Sequence, residues 1–190
     1  MFKRQSRIKA LLQRLRYYEW AYGHLGESDT DIGTIGEFMV GSLLNCLPPA
    51  RKDHDVFDFT TKSGISIEVK TTTHKAKGGR GGQPYYRWHI SDQKTAFEGK
   101  KPLASVWIFL IATFPESASS RRSFNAFDPR YWTAYLATGD QVKSTGCKTN
   151  LTESALKRLG LESFPLSELK KNFADVVNQN ELSYVWKWHK

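Results

Sequence analysis

The fold of this chain depends on one stretch, Val56-Phe57-Asp58-Phe59-Thr60-Thr61-Lys62-Ser63-Gly64-Ile65-Ser66-Ile67-Glu68-Val69-Lys70. Hydrophobic and polar residues alternate on both sides of Lys62-Ser63-Gly64, a short run that suits a tight turn. The alternation therefore predicts a β-hairpin whose strands cover residues 56–61 and 65–72.

The second predicted strand divides its side chains between two faces. Successive side chains of a strand point in opposite directions, so Ile65, Ile67 and Val69 share a face that suits the core. Glu68 and Lys70 lie on the other face as neighbouring opposite charges. Pairing across the turn also brings Asp58 to the same edge of the sheet, and two carboxylates at one place are costly without a cation.

A helix is predicted before the hairpin. Residues 33–46 follow a loop rich in capping residues, and Pro48-Pro49 stops the helix. On one of its faces Gly33, Glu37 and Gly41 recur every four residues, so we expect small residues to permit a close backbone approach around Glu37. The apolar stripe of this helix consists of Ile35, Phe38, Met39 and Leu43.

The rest of the sequence predicts further strands between helices. Strands are predicted at residues 85–90, 105–114 and 132–137, and helices at residues 1–25, 91–97, 153–159 and 166–177. The first of these helices carries a basic face. Helices that flank a central group of strands predict a mixed α/β fold, and a length of 190 residues suits a single domain.

The chain is strongly basic. Lys and Arg number 28 against 19 Asp and Glu, which gives a formal net charge of +9. Such an excess favours a polyanionic partner, and nucleic acid is the obvious class. Charge bears on association rather than on a reaction, so a merely basic soluble protein remains the alternative at this point.

Several of the cations follow the hairpin closely. Residues 73–84 combine Lys75, Lys77 and Arg80 with several glycines, a composition that suits a mobile loop able to close over DNA. A solvated loop needs no ligand, so both interpretations stay open. Arg87 comes next, between aromatic residues that either stack on bases or pack into the core, namely Tyr85, Tyr86 and Trp88.

Several other classes of protein do not fit the sequence. Cys46 and Cys147 are the only cysteines, too few for a disulfide framework or a paired-cysteine zinc site. No apolar run approaches the roughly 20 residues of a membrane helix, and no secretory leader is recognisable. HExxH and glycine-rich phosphate-loop motifs are also missing. We therefore expect a cytoplasmic protein that does not enter a membrane.

Three acids and one lysine suit the hydrolysis of a phosphodiester. This reaction needs an activated water and stabilisation of negative charge, much of which one or two magnesium ions can supply. Magnesium prefers a few carboxylates together with water, and Glu37, Asp58 and Glu68 are such acids. Lys70 follows on the same strand face as Glu68, where it can hold the water and offset developing charge.

On these residues the chain resembles the PD-(D/E)xK nuclease superfamily, which includes many restriction endonucleases, archaeal Holliday-junction resolvases and lambda-type exonucleases. Glu37 in Gly36-Glu37-Phe38 is similar to the helix glutamate of the family. Asp58 is similar to its motif aspartate, although no proline precedes it, and Glu68-Val69-Lys70 is similar to its ExK motif. Asp55 lies nearby and would replace Asp58 if the hairpin register shifted.

The resemblance implies a restriction-endonuclease-like fold, with a central mixed β-sheet flanked by α-helices. It covers about residues 33–113, which would form the nuclease core, with residues 115–190 as a C-terminal addition. It also implies that Asp58, Glu68 and the Val69 carbonyl bind Mg²⁺, for which Mn²⁺ can substitute. Glu37 would assist, and Lys70 would act on the water.

Three functional hypotheses follow from this pattern. The first is a restriction-type endonuclease that cuts double-stranded DNA and acts as a homodimer, since two-fold symmetry suits cutting both strands. The second is a structure-specific nuclease, such as a junction resolvase or a repair enzyme. The third is an inactive DNA-binding module of the same fold, against which the presence of Glu37, Asp58, Glu68 and Lys70 together argues.

Overall fold

The computed structural model describes residues 30–46, 57–73, 75–76, 84–90, 94–113 and 128–180. The predicted helix of residues 1–25, the alternative aspartate Asp55 and the cations Lys77 and Arg80 lie outside these ranges. All statements about structure below concern the described residues.

The described part of the chain contains five α-helices and eight strands. The helices are α1 (Thr30–Leu43), α2 (Lys94–Phe97), α3 (Gly139–Ser144), α4 (Glu153–Arg158) and α5 (Leu169–Gln179). The strands are β1 (Phe59–Thr60), β2 (Ser66–Thr72), β3 (Lys75–Ala76), β4 (Tyr85–His89), β5 (Val106–Ala112), β6 (Trp132–Thr138), β7 (Asn150–Thr152) and β8 (Phe164–Pro165). Short 3-10 turns cover Pro129–Tyr131 and Leu166–Glu168.

The strands form two sheets. The larger sheet has five strands in the order β1-β2-β5-β6-β8, and the smaller has three in the order β3-β4-β7. Strands β2 and β5 are parallel, while every other neighbouring pair is antiparallel. The larger sheet is therefore mixed, and its central strand β5 is buried on both faces.

A hydrophobic cluster covers each face of the larger sheet. On one face α1 and α5 pack against Ile67, Val69 and Ile108. On the other face the smaller sheet and helix α4 pack against Trp107 and Phe109. This arrangement confirms the expected mixed α/β fold with a central sheet flanked by helices, and adds a second small sheet that the sequence did not predict.

The predicted hairpin is confirmed, but its first strand is shorter than expected. Phe59 pairs with Ile67 and Thr60 with Ser66, so β1 is confined to two residues instead of residues 56–61. The turn is closed by a hydrogen bond from the Thr61 N–H to the Ile65 carbonyl (2.9 Å). Gly64 within it has a φ of 84°, which glycine adopts without strain.

Helix α1 is shifted relative to its prediction at residues 33–46. It begins at Thr30, and it ends at Leu43 before the chain reaches Pro48-Pro49. Asn45 has a φ of 55°, and the Cys46 N–H donates to the Gly41 carbonyl (2.8 Å). This left-handed closure satisfies carbonyls of the last turn, so the helix is ended by Asn45 rather than by the prolines.

Most of the later elements are also confirmed, with small shifts. The strands predicted at 85–90, 105–114 and 132–137 are β4, β5 and β6, and the helices predicted at 153–159 and 166–177 are α4 and α5. Strands β3, β7 and β8 and helix α3 were not predicted, because each is too short to establish a period. β3 lies within residues 73–84, where a loop was expected. No helix in the described part of the chain has the length and apolar character needed to cross a membrane.

Because of Tyr135 on β6, we expect the free energy of unfolding to change with pH in the alkaline range. Burial and a hydrogen bond from its hydroxyl to Glu153 Oε1 (2.7 Å) raise its pKa from 10.0 to about 12. The folded protein therefore holds this proton more tightly than the unfolded chain. The resulting stabilisation is complete below pH 10.0 and is lost as the pH rises through about 12.

We therefore expect the free energy of unfolding of the Tyr135→Phe variant to fall less than that of the wild type over this pH window. Urea denaturation at a series of pH values measures this difference, with Tyr131→Phe as the control. Parallel curves for the wild type and Tyr135→Phe would contradict the prediction.

Candidate active site

The side chain of Asp58 lies against the edge of strand β2. Asp58 Oδ2 accepts a hydrogen bond from the Val69 N–H at 2.7 Å. Extending the β1–β2 register by one position sets Asp58 opposite Glu68. The carboxylate thus takes the place of a backbone acceptor, which explains why β1 begins only at Phe59.

The backbone of Val69 faces the same edge. In an antiparallel pair, the N–H and C=O of one residue point toward the same neighbouring strand. Because the Val69 N–H points toward Asp58, the Val69 carbonyl is also directed toward the β1 side of β2, next to Asp58. The aspartate and this carbonyl, which the family resemblance implies as metal ligands, are therefore on one side of β2.

Glu68 and Lys70 form an ion pair on one face of β2. Lys70 Nζ lies 2.9 Å from Glu68 Oε1, and the exposed fractions of the two side chains are 18% and 4%. On the parallel strand β5, Trp107 is the neighbour of Glu68 and Phe109 is the neighbour of Lys70. Both aromatic residues belong to the hydrophobic cluster between the two sheets. A carboxylate buried in such surroundings needs a nearby cation, and Lys70 supplies one.

Glu37 lies on α1, the helix that packs against β2 from the opposite face. Its side chain is half-buried, and it directly follows Gly36, a residue at which the helix closely approaches the strand. A β-carbon at Gly36 would collide with Thr71 Oγ1 and would lie 3.0 Å from Leu110 Cδ1. The residue that positions Glu37 relative to β2 is therefore Gly36.

This finding corrects the expectation for the glycines of α1. A β-carbon at Gly33 would meet no atom within 4 Å, so Gly33 makes no close approach. Gly41 does make one, because a β-carbon there would lie 2.8 Å from Phe59 Cε1. The four-residue spacing was correct for Gly41 and wrong for Gly33, and it missed Gly36.

The two glycines permit a matched test of helix placement. We expect Gly36→Ala to reduce the free energy of unfolding by about 1–3 kcal/mol, since the added methyl group must push α1 away from Thr71. Gly33→Ala should instead stabilise the protein by about 0.5–1 kcal/mol, because alanine favours a helix where space is open. Urea denaturation of both variants measures this contrast, and equal effects would contradict it.

The four predicted DNA contacts divide into two groups. Lys75 is the first residue of β3, where its backbone pairs with Tyr86, and Arg87 is exposed on β4. Lys77 and Arg80 lie in the part of the chain that is not described. Of the aromatic residues around Arg87, Trp88 is 1% exposed and belongs to the core, which excludes base stacking for that ring.

Two buried polar atoms near the site were missed by sequence analysis. Among the described residues, Thr71 Oγ1 and Trp107 Nε1 are buried without a hydrogen-bond partner. Thr71 lies beside Gly36, and Trp107 is the neighbour of Glu68 on β5. The sequence shows both only as strand residues, because their positions depend on the pairing of β2 with β5 and its packing with α1.

The oxygen donors that the sequence places around β2 are of the kind that a hard divalent cation prefers. Asp58 and Glu68 supply carboxylate oxygens and Val69 supplies a carbonyl, whereas magnesium commonly uses one or two carboxylates and retains several waters. Within the described ranges, no group of three or more His, Cys, Asp or Glu side chains is gathered as a possible metal site.

Comparisons with known proteins add no identification. Neither the models of known protein families nor the curated proteins give a match to this chain.

Proposed function

We propose that this chain is a magnesium-dependent deoxyribonuclease of the PD-(D/E)xK type that cleaves double-stranded DNA in the manner of a restriction endonuclease. In this proposal the mixed α/β fold is a variant of the restriction-endonuclease-like fold. Glu37, Asp58, Glu68 and Lys70 form the catalytic set.

One observation carries the proposal. Asp58 accepts the N–H of Val69, the residue between Glu68 and Lys70, and these two form a largely buried ion pair. Three consecutive residues of one strand therefore carry a carboxylate, a carbonyl and an ammonium, and the carboxylate of Asp58 contacts the middle residue. An ordinary solvated hairpin would not need a carboxylate with an exposed fraction of 4% at this place.

Asp58, Glu68 and the Val69 carbonyl would hold Mg²⁺, and Mn²⁺ could replace it. When bound, the metal polarises the phosphoryl oxygens and activates water for attack. The Val69 N–H holds the Asp58 carboxylate at the strand edge before any ligand arrives, so little rotamer entropy remains to be lost.

Lys70 has two tasks in this proposal. Its ammonium donates hydrogen bonds to the attacking water and offsets negative charge that develops on the phosphoryl group. Before a metal binds, its ion pair with Glu68 keeps it in place. Glu37, on the helix placed by Gly36, assists from the side of α1. Attack by water breaks the bond from phosphorus to the 3′-oxygen and leaves a 5′-phosphate.

The partner in this proposal is DNA, and the net charge of +9 supports a polyanionic ligand. Lys75, Lys77, Arg80 and Arg87 would contact the DNA backbone or its grooves. The active form would be a homodimer in the cytoplasm, since two sites related by two-fold symmetry cut opposite strands.

Incubation of the purified full-length protein with plasmid and genomic DNA tests the proposal. We expect cleavage in Mg²⁺ or Mn²⁺ and none in EDTA, with 5′-phosphate ends. Four-way junctions in parallel reactions test the structure-specific alternative, which predicts a preference for junctions over linear duplex. Binding of DNA without cleavage under every metal condition would contradict the enzyme and favour the inactive binding module.

A further inference from the structure

We propose that the exposed face of strands β4 and β7 recognises DNA sequence by contacting base edges in the major groove. This pair of strands is named the β4–β7 ribbon. The inference rests on the proposed function in taking duplex DNA as the ligand, but it assigns a surface that takes no part in the cleavage site.

The ribbon separates its polar and apolar side chains cleanly. Its register pairs Arg87 with Thr152, Trp88 with Leu151 and His89 with Asn150. Trp88 and Leu151 are 1% and 0% exposed and face the core. Alternation then directs the two polar pairs outward, and Arg87 and His89 are exposed.

The buried side of the ribbon is anchored to the larger sheet. Trp88 Nε1–H donates to the Leu110 carbonyl at 2.8 Å, and the Trp88 ring contacts Phe109 and Tyr135 with centroid distances of 5.3 and 6.1 Å. The Tyr135 hydroxyl in turn donates to Glu153 on α4. The outward side chains thus project from a rigid base, which lowers the entropy lost when they meet a ligand.

The outward residues have the chemistry of base recognition. Arginine pairs with the O6 and N7 of guanine, and asparagine pairs with the N6 and N7 of adenine. Among the described residues, the contacts of the Asn150 amide are long ones, to His89 Nδ1 at 3.4 Å and to Thr149 Oγ1 at 3.5 Å, so the amide can exchange them for a base at low cost.

The charge and shape of this face match duplex DNA. The outward positions of the ribbon include no carboxylate, and Lys148, two residues before β7, is exposed. β3 pairs with Tyr85 and Tyr86, whereas β7 pairs with Arg87 to His89, so these positions of β4 form a two-stranded ribbon with β7. A two-stranded β-ribbon fits the major groove, which is about 12 Å wide.

The ribbon also lies within reach of the candidate active site. The chain from Lys70 to Lys75 spans at most about 18 Å, and Lys75 pairs with Tyr86, the residue directly before Arg87. Since one turn of B-DNA is about 34 Å long, bases within about one turn of a phosphate at Lys70 lie within reach of the ribbon.

Selection from a random duplex library tests the inference. The full-length protein is used in Ca²⁺ and again in EDTA, so that binding is measured without cleavage. We expect enrichment of a defined motif. Arg87→Ala should reduce affinity for the enriched duplex by about 10- to 100-fold and abolish preference at a guanine, and Asn150→Ala should abolish preference at an adenine.

Two control substitutions are placed on α5, which packs on the face of the larger sheet opposite the ribbon. Lys170→Ala and Asn178→Ala remove an exposed cation and an exposed amide from α5, and they should leave affinity and motif unchanged. Circular dichroism and thermal unfolding confirm that each variant is folded.

Several results would overturn the inference. One is that selection enriches no motif, and another is that Arg87→Ala loses the same affinity for every sequence. A third is that both ribbon variants keep the affinity and sequence preference of the wild type, and a fourth is that the protein binds RNA or single-stranded DNA more tightly than duplex DNA. Because binding is scored apart from cleavage, motif recognition by a protein that never cuts would support the ribbon and contradict the nuclease. Cleavage that is unchanged, in rate and in sequence preference, by both ribbon substitutions would support the nuclease and contradict the ribbon.

Discussion

Replacing Asp58 with asparagine is expected to reduce magnesium-dependent cleavage of duplex DNA by about 1,000-fold while leaving the protein folded. Asparagine keeps an oxygen that can accept the Val69 N–H, which Asp58 accepts at 2.7 Å, so the strand edge is preserved. It removes the negative charge that a divalent cation requires. Loss of several kcal/mol of metal-dependent stabilisation corresponds to about this fall in rate.

Single-turnover cleavage of a supercoiled plasmid measures the effect, and thermal unfolding with and without Mg²⁺ provides a second readout. The Asp58→Asn protein should show a smaller Mg²⁺-dependent rise in Tm than the wild type. Asp175→Asn, an exposed position on α5, is the matched control and should behave as the wild type. Cleavage by Asp58→Asn at the wild-type rate would remove Asp58 from the mechanism.

Replacing Lys70 with methionine should abolish cleavage and also lower the free energy of unfolding by about 3 kcal/mol. The substitution deprives the buried Glu68 carboxylate of the ammonium 2.9 Å away. Breaking one member of a buried ion pair costs about 3–5 kcal/mol, and we expect the lower end because Lys70 retains an exposed fraction of 18%.

A second substitution separates the structural role of Lys70 from its catalytic role. Adding Glu68→Gln to Lys70→Met removes the uncompensated charge, so most of the lost stability should return. Cleavage should not return, because both catalytic groups are then missing. Recovery of cleavage in the double variant would show that the pair serves only stability.

An exposed ion pair of similar length provides the control for stability. Lys100 Nζ lies 2.8 Å from Glu98 Oε2, but the exposed fractions of these side chains are 70% and 39%. Lys100→Met should therefore change the free energy of unfolding by less than about 1 kcal/mol and leave cleavage intact. A loss equal to that of Lys70→Met would mean that burial is not the cause.

Magnesium itself gives a further readout for Lys70→Met. In the wild type a cation that approaches Glu68 competes with the Lys70 ammonium. Without that competitor, Mg²⁺ should raise the Tm of Lys70→Met more than the Tm of the wild type. A smaller rise would indicate that Glu68 does not bind the metal.

The two faces of β2 were predictable because alternation is a local property. Ile67 and Val69 belong to the cluster under α1, and Glu68 and Lys70 pair on the opposite face, as the period of two residues requires. The strong apolar run of β5 was predictable for the same reason, since every residue of it is buried.

The ends of elements were less predictable, because single hydrogen bonds decide them. The Asp58 carboxylate replaces a backbone acceptor and shortens β1. The left-handed Asn45 ends α1 before the prolines can act. Aspartate and asparagine also occur at many positions that do not end an element.

By itself, the sequence determined the hairpin, the division of charges along β2 and the excess of positive charge, because these follow from local period and composition. Only the tertiary structure decided that Gly36 brings α1 against Thr71, that Glu68 is buried beside Trp107, and that β4 pairs with β7. These contacts join segments far apart in the chain, and the free energy of packing them depends on the shape of both partners, which no local pattern contains.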